Sequence, residues 1–445
     1  MTPLFDEPRT SSFMTWSPQD NGEAVGIDLK TWAFSWQTGE TPRLQYGEQN
    51  VRQLRLIHQG KLGSAISRSA SWEQLKTQAR ETSAFGPVSP VKFHGPSHPV
   101  TSPTKTDPPE LETLLDWVGE VRRMLAFMPS TARIRASVRF SNQVAQRTTP
   151  SDNGASYVTH QFWNAVVDTR NVQGTDFVEL AQLSLGGSCP TPNQLVDEIE
   201  TRWKWSKKIV NIPDGRYPIV FLPSVVMSLM VPVLARITGP NLIARNSPWE
   251  DAISETVASP LLTISSDPTL VGGPRSADED DEGHPVFVQP LVEHGILRSF
   301  VLDELSAGEL GDSSTKMGYR PDINQLPQCS PASMVIAPGE HSLTQIINMV
   351  PRCLILGGWI GGRSTNPVRG DIAGNASELY YVEHGEVVGR VKNTVISVNA
   401  FTALKDQLAL IGRDQYWVPP SMLQAAPGYL PPILLDSVDV AGKGQ

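Results

Sequence analysis

Between residues 20 and 70, polar and apolar positions alternate through AVGIDL, TWAFSWQ, RLQYG and QLRLIHQGKLGSAIS, with turn signals between these segments. A period of two predicts a meander of short antiparallel strands with one face toward a core. The period then lengthens. SASWEQLKTQARETSAF places Trp72, Leu75 and Ala79 on one helical face behind Ser69 or Ser71 as the N-cap. Glu110 to Phe127 repeats helical spacing at Leu111, Leu114, Leu115, Val118 and Val121. Strand-like runs follow at ARIRASVRFSNQVAQ, ASYVTHQFWNAVVDTR and FVELAQLSLGG, and then an amphipathic helix over Pro192 to Lys207 that ends in Trp203 and Trp205. The fold class implied is α+β, with an N-terminal antiparallel sheet plus helices and a larger strand-rich part after it.

Residues 86–109 are rich in Pro, Ser and Thr and are expected to form an extended linker. From Tyr217 the texture changes to βαβ-like segments with many glycines, which places a domain boundary near Asn211 to Arg216. The expected organisation is an N-terminal domain over 1–212, a C-terminal domain over 213–417 and a proline-rich tail over 418–445. The tail lacks periodicity and is expected to be a surface strap or a partly disordered end. Pro218 to Ile237 is the most apolar stretch, but it is short for a membrane span and carries Pro223 and Pro232 in its interior. It is expected as a buried strand followed by a buried helix over Ser224 to Ile237.

With 39% hydrophobic and 19% charged residues, the 445-residue chain has enough apolar material for a sizeable core. A formal charge of −9 argues against nucleic acid and anionic membrane as partners, since both select clustered Lys and Arg. The cysteines Cys189, Cys329 and Cys353 are far apart and odd in number, which disfavours a disulfide framework or thiolate zinc site. The opening MTPLFDEPRTSS has no basic region followed by an apolar run, so no secretory leader is expected and a reducing cytoplasm is the expected location.

Four constellations could carry chemistry. Gly357 to Ser364, GGWIGGRS, fits a phosphate loop except that Arg363 stands where a slender Lys is needed and no helix follows, so a tight glycine turn between strands is expected. Asp278 to Gly283, DEDDEG, imitates the start of a calcium loop, but its twelfth position is Gln289 and not Glu; a solvated acidic turn is expected. His94 and His98 have helical metal-pair spacing, but Gly95 and Pro96 between them exclude the helix. His284, His294, His341 and His384 are isolated, with His294 and His384 expected in hairpin turns of the form Glu-His-Gly. No nucleophile elbow is present: Gly187-Ser188-Cys189-Pro190 does not match one.

Over roughly Pro218 to Asp414, the chain resembles the C-terminal domain of the TldD/PmbA (TldE) metallopeptidase family. The resemblance rests on collinear order: LTISSDPTLVGGPRSADEDDEGHPVFVQPLVEHGILRSFVLDELSAGELG, STKMGYRP, MVIAPGEHSLTQII, and then LGGWIGGRSTNPVRGDIAGNASELYYVEHGEVVGRVKNTVISVNAFTALKDQLALIGRD. The first half is more loosely similar to the family's N-terminal domain and begins after the helix with which that domain is expected to open.

The resemblance implies that a catalytic subunit of this family carries HExxxH on a helix. There the two His bind zinc, the Glu polarises water, and a later Cys completes the protein ligands, since zinc needs these groups plus an activated water. In this chain Val231 and Arg236 fall at the His positions, Pro232 at the Glu position and Ala376 near the Cys position. No catalytic residue and no bound cofactor are therefore expected, with zinc expected in a partner. The resemblance implies a TldE/PmbA-type subunit that pairs with a TldD-type chain, or with itself when expressed alone. Together the two would enclose a cleft that cleaves unfolded peptides or precursors of modified peptides. Gly358, Gly361, Gly362, Asn366 and Gly370 are the expected peptide-cleft positions. Two other classes remain open: a stand-alone peptide-binding module, and an enzyme built around Cys189, Cys329 or Cys353 with a nearby His.

Overall fold

The alternating segments of the first half pair into one antiparallel sheet in a computed structural model that describes residues 14–95, 109–150, 155–174, 176–270, 272–312, 317–363, 366–420 and 426–442. Its strands are β1 (Gly22–Gln37), β2 (Arg43–His58), β3 (Lys61–Ser67), β4 (Arg133–Thr148), β5 (Ser156–Gln173) and β6 (Asp176–Gly186), in the order β3-β2-β1-β4-β5-β6. Three helices cover it: α1 (Trp72–Ser83), α2 (Leu111–Met124) and α3 (Pro192–Ser206). Ser71 is the cap of α1. Its hydroxyl accepts from the Gln74 N–H while the Gln74 side chain accepts from the Ser71 N–H, so two orphan donors are satisfied at once. Leu114, Val118 and Val121 of α2 pack with Leu195 and Ile199 of α3 over Ala165 and Val167 of the sheet. The α+β class expected from the sequence is the one observed.

The second half contains β7 (Ile209–Val210), β8 (Gly215–Phe221), α4 (Pro223–Ile237), α5 (Gly239–Ile243), β9 (Ile264–Ser266), β10 (Gln289–Glu293), β11 (Ile296–Leu297) and α6 (Glu304–Leu310). It continues through β12 (Gly318–Tyr319), β13 (Gln328–Cys329), β14 (Met334–Ile336), α7 (Leu343–Met349), β15 (Arg352–Arg363), β16 (Asp371–Glu383), β17 (Glu386–Val391) and β18 (Thr394–Asn399). It ends with α8 (Ala400–Thr402), β19 (Leu408–Ile411), β20 (Tyr416–Val418), β21 (Gly428–Leu430) and β22 (Ile433–Gly442). The main sheet runs β15-β8-β22-β18-β16-β17-β7, and an additional pairing of β15 with β16 closes the first five of these strands on themselves. Helix α4 is buried beside this ring, with Val226, Leu229, Met230 and Ile237 fully enclosed. The apolar stretch is thus a strand and a core helix, and no helix among the described residues is long and apolar enough to cross a membrane.

Three expectations are corrected. The described part of the expected tail is not a strap: β22 lies between β8 and β18, and Ile433 and Leu435 are fully buried. Pro431 and Pro432 hide a strand here, because they stand just ahead of it without entering its ladder. The acidic run is not solvated: Glu279, Asp280 and Glu282 are buried. Arg55 of β2 binds Glu23 and Glu282, each at 2.7 Å, and Arg320 binds Asp281 at 3.1 Å, so the run fastens the second half to the first. Asp280 accepts the N–H groups of Glu282, His284 and Gly318, which satisfies its oxygens without calcium. Finally, Gly357 to Arg363 is not a turn between strands but the bulged end of β15. His294 (φ 48°) and His384 (φ 51°) do stand in the hairpin turns expected for them, each followed by a left-handed glycine.

If β22 is a core strand, Leu435→Ala should lower unfolding free energy by about 2–5 kcal/mol. A chain ending at residue 420 should show no cooperative transition in urea. A loss under about 0.5 kcal/mol, as for a surface position, would contradict the assignment.

Candidate functional site

A cavity of about 850 Å³ opens where α4, the glycine-rich end of β15, α3 and the segment around β20 meet. Chain geometry explains the opening. β8 pairs with β15 only from Leu354 to Leu356 and then turns into α4 at Pro223, which starts the helix with its fixed φ and missing N–H. The Leu222 N–H donates to Leu356 O and the Ser224 hydroxyl to Gly357 O; beyond these β15 keeps β16 on one side, and among the described residues no strand pairs with its other edge. Gly358, Trp359, Ile360 and Gly361 border the cavity along this edge. Trp359 is steadied by a 3.3 Å hydrogen bond from its indole N–H to the Ser228 hydroxyl of α4.

The opposite wall depends on a buried ion pair. Arg202 of α3 reaches both carboxylate oxygens of Glu378 on β16 at 3.2 Å, and it also donates to Ala181 O at 2.9 Å and to the Gln182 side chain at 2.8 Å. Burial works against the charge on Arg202, but Glu378 more than offsets it, and the guanidinium is held above its ordinary value. The Tyr380 hydroxyl donates to Glu378 at 3.1 Å; burial and that carboxylate push the phenol well above its ordinary range. The same carboxylate explains Gly357, where a Cβ would lie 2.5 Å from the Glu378 carboxyl carbon.

Val231 and Pro232, which the resemblance implied at a ligand and the base position, face this cavity together with Gly358 and Gly361. Pro232 interrupts the α4 ladder and leaves the Ser228 carbonyl without its helical donor. Arg236 does not line the cavity: its guanidinium sits 3.1 Å from the Phe401 ring centroid and 5.0 Å from that of Trp249, and its Nε–H donates to Val368 O at 3.0 Å. Burial pulls Arg236 down to about 10, which leaves it a cation at neutral pH. Ala376 pairs with Trp359 across the β15–β16 ladder. Gly362 lies in β15. Asn366 is exposed and accepts the Val368 N–H at 3.1 Å. Gly370, at φ 79°, is required by Phe401, whose ring a Cβ would meet at 2.5 Å, so its glycine serves packing and not the cavity.

Zinc does not fit this cavity. Among the described residues that line it there is no His and no Cys, Glu378 is committed to Arg202 and Tyr380, and the other lining carboxylates, Glu179, Glu198 and Asp414, form no cluster of three donors. Nor do the thiols supply a nucleophile. Burial pushes Cys189 and Cys353 up to about 11, and burial with Asp303 nearby pushes Cys329 to about 12, so none is a thiolate at neutral pH. Sequence reasoning missed Arg202, whose charge sits on an otherwise amphipathic helix like any surface arginine. It also missed the wall formed by Pro419, Pro420 and Pro432, which lie in the misread tail. A third omission is the approach of His284 to His94 and Glu304 away from the cavity. His98, the other member of the spaced pair, lies outside the described residues.

A family model described as the PmbA/TldA metallopeptidase C-terminal domain matches residues 214–442. A metalloprotease TldD homolog from Buchnera aphidicola subsp. Schizaphis graminum is 28% identical over 223 residues, covering 47% of this chain and 45% of that protein. A metalloprotease PmbA homolog from Haemophilus influenzae is 26% identical over 227 residues, covering 51% and 46%. The match thus spans about half the length of these curated relatives. The crystal structure of TldE from Thermococcus kodakarensis superposes with a TM-score of 0.81 at 22% identity, covering 96% of this chain and 97% of that one; the two share a fold.

If the Arg202–Glu378 pair supports the cavity wall, Arg202→Met or Glu378→Gln alone should cost about 3–5 kcal/mol, because each leaves a buried partner uncompensated. Arg202→Met combined with Glu378→Leu should recover most of that loss in urea unfolding. Additive losses in the double variant would show that the two side chains act independently.

Proposed function

Since the chain belongs to the PmbA/TldD metallopeptidase family, we propose that it is the metal-free subunit of a TldD/TldE-type heteromeric peptidase. It shapes a cleft for unfolded peptides or modified-peptide precursors, while a TldD-type chain supplies the zinc. One observation carries this reading: a roomy cavity bordered by Val231 and Pro232 where a metallopeptidase would present a ligand and a base. Hydrolysis needs an activated water and stabilisation of the oxyanion, and a valine beside a proline can supply neither.

What the chain offers instead is backbone. The unpaired edge of β15 from Gly358 to Gly361 presents main-chain groups to an extended peptide, which would add as a strand. Gly358 and Gly361 leave the backbone open on either side of Trp359 and Ile360. Trp205, Trp359 and Trp417 supply apolar surface around it, and Glu179 and Glu198 place negative charge at its border. The three cysteines are free thiols, as a reducing cytoplasm would keep them. Charge and hydropathy give no support to nucleic acid or membrane as partners.

The test is a peptidase assay on three samples: this chain, a TldD-type chain, and the mixture. No cleavage by this chain alone and strong metal-dependent cleavage by the mixture are expected, with a two-chain complex in light scattering. Metal-dependent cleavage by this chain alone would refute the reading. Full activity of the TldD-type chain unchanged by this one would favour a stand-alone peptide-binding module.

A further inference from the structure

Away from the cavity, the segment after α1 crosses to the second half and docks on α6. Val91 is buried, Pro90 packs against Gly308, and the Phe93 ring lies under the Arg55 guanidinium at 5.7 Å. This docking lays His94 against the acidic run, with the rings of His94 and His284 4.6 Å apart between centroids. Glu304 faces both: its carboxylate is 2.9 Å from Nε2 of His284 and 3.7 Å from Nε2 of His94. One donor atom from each residue falls within 4.8 Å of the other two.

The cluster is built into the fold. His284 and Glu304 are 3% and 8% exposed. The Lys92 N–H donates to the Glu304 carboxylate at 3.2 Å, the His284 N–H donates to Asp280 at 2.9 Å, and Arg147 donates to the His94 carbonyl at 2.5 Å. Backbone is therefore fixed beside each donor, as in sites whose outer contacts orient the ligands. Nε2 of His284 lies 2.9 Å from the Glu304 carboxylate, an ion-pair distance, so these two donor atoms already face each other across a short gap. The nearby cations have partners of their own, Arg55 with Glu23 and Glu282, and Arg147 with Glu279.

We propose that His94, His284 and Glu304 form a site for a divalent transition metal of the zinc class, separate from the cleft, that pins the 86–95 segment to the C-terminal half. Two imidazoles and one carboxylate are a borderline-soft donor set suited to zinc and unsuited to calcium or magnesium, which take oxygen ligands. Bonds of about 2.0–2.2 Å to a tetrahedral ion require donors roughly 3.3 Å apart, which small side-chain movements reach from the observed spacing. A water completes the fourth position. The expectation of a metal-free chain then holds for the cleft alone.

The test uses the full chain, stripped with chelator and titrated with zinc, then with cobalt(II). About one zinc per chain, a raised Tm and visible cobalt d–d bands are expected. His94→Ala, whose side chain is 37% exposed and so can be removed without opening the core, should weaken zinc at least about 100-fold, and Glu304→Gln likewise. His341→Ala, outside the cluster, should leave binding unchanged. No retained zinc and no cobalt bands in the unaltered chain would overturn the proposal. Equally, stoichiometric zinc undiminished in the His94→Ala, Glu304→Gln double variant would reduce the cluster to an ion pair.

Discussion

Arg202 carries a full charge in a place water does not reach, and the shape of the cavity follows from how that charge is answered. Its partner Glu378 belongs to the second half, while its other acceptors, Ala181 O and Gln182, belong to β6 of the first. One guanidinium therefore fixes α3, β6 and β16 relative to one another. A buried pair of this kind adds little net stability over an apolar replacement, but it is costly to break, so it specifies geometry more than it strengthens the fold. Glu378 then imposes glycine at 357, and the strand continues along the cavity as a bulged, glycine-rich stretch that carries Trp359 and Ile360. Elsewhere Arg55 and Arg320 answer the acidic run, and Arg390 of β17 answers Asp176 of β6 at 2.7 Å.

Much of the architecture was legible in the sequence because periodicity reports burial directly. Trp72, Leu75 and Ala79 announced α1, and the sequence narrowed its cap to Ser69 or Ser71, of which the structure selects Ser71. The two-residue alternation of β1 to β6 announced the first sheet. Legibility failed where local chemistry and tertiary context disagree. Prolines ahead of Ile433 suggested a strap, although the apolar run that follows them is a central strand. Five acids in the run from Asp278 to Glu282 suggested solvent, although arginines from distant strands wait for them.

The candidate site was legible in part. Val231, Pro232, Gly358 and Gly361 could be named from the sequence, and they meet at one cavity. Arg236 and Gly370 could also be named, yet both are explained by the ring of Phe401. The pairing of Arg202 with Glu378, and of His94 with His284 and Glu304, was invisible, because each spans more than one hundred positions with no short-range pattern to reveal it. Where spacing carries no signal, only the closed fold brings the partners together.

On the function proposed above, this chain receives an extended peptide along the open edge of β15 and leaves it intact. Hydrogen–deuterium exchange of the chain, with and without a saturating unfolded peptide, tests this most directly when the peptide is recovered and weighed from the same sample. The account predicts slowed exchange confined to residues 357–361 and the facing start of α4, with the peptide returned whole. Unchanged exchange along residues 357–361, or a peptide recovered in fragments, would contradict it.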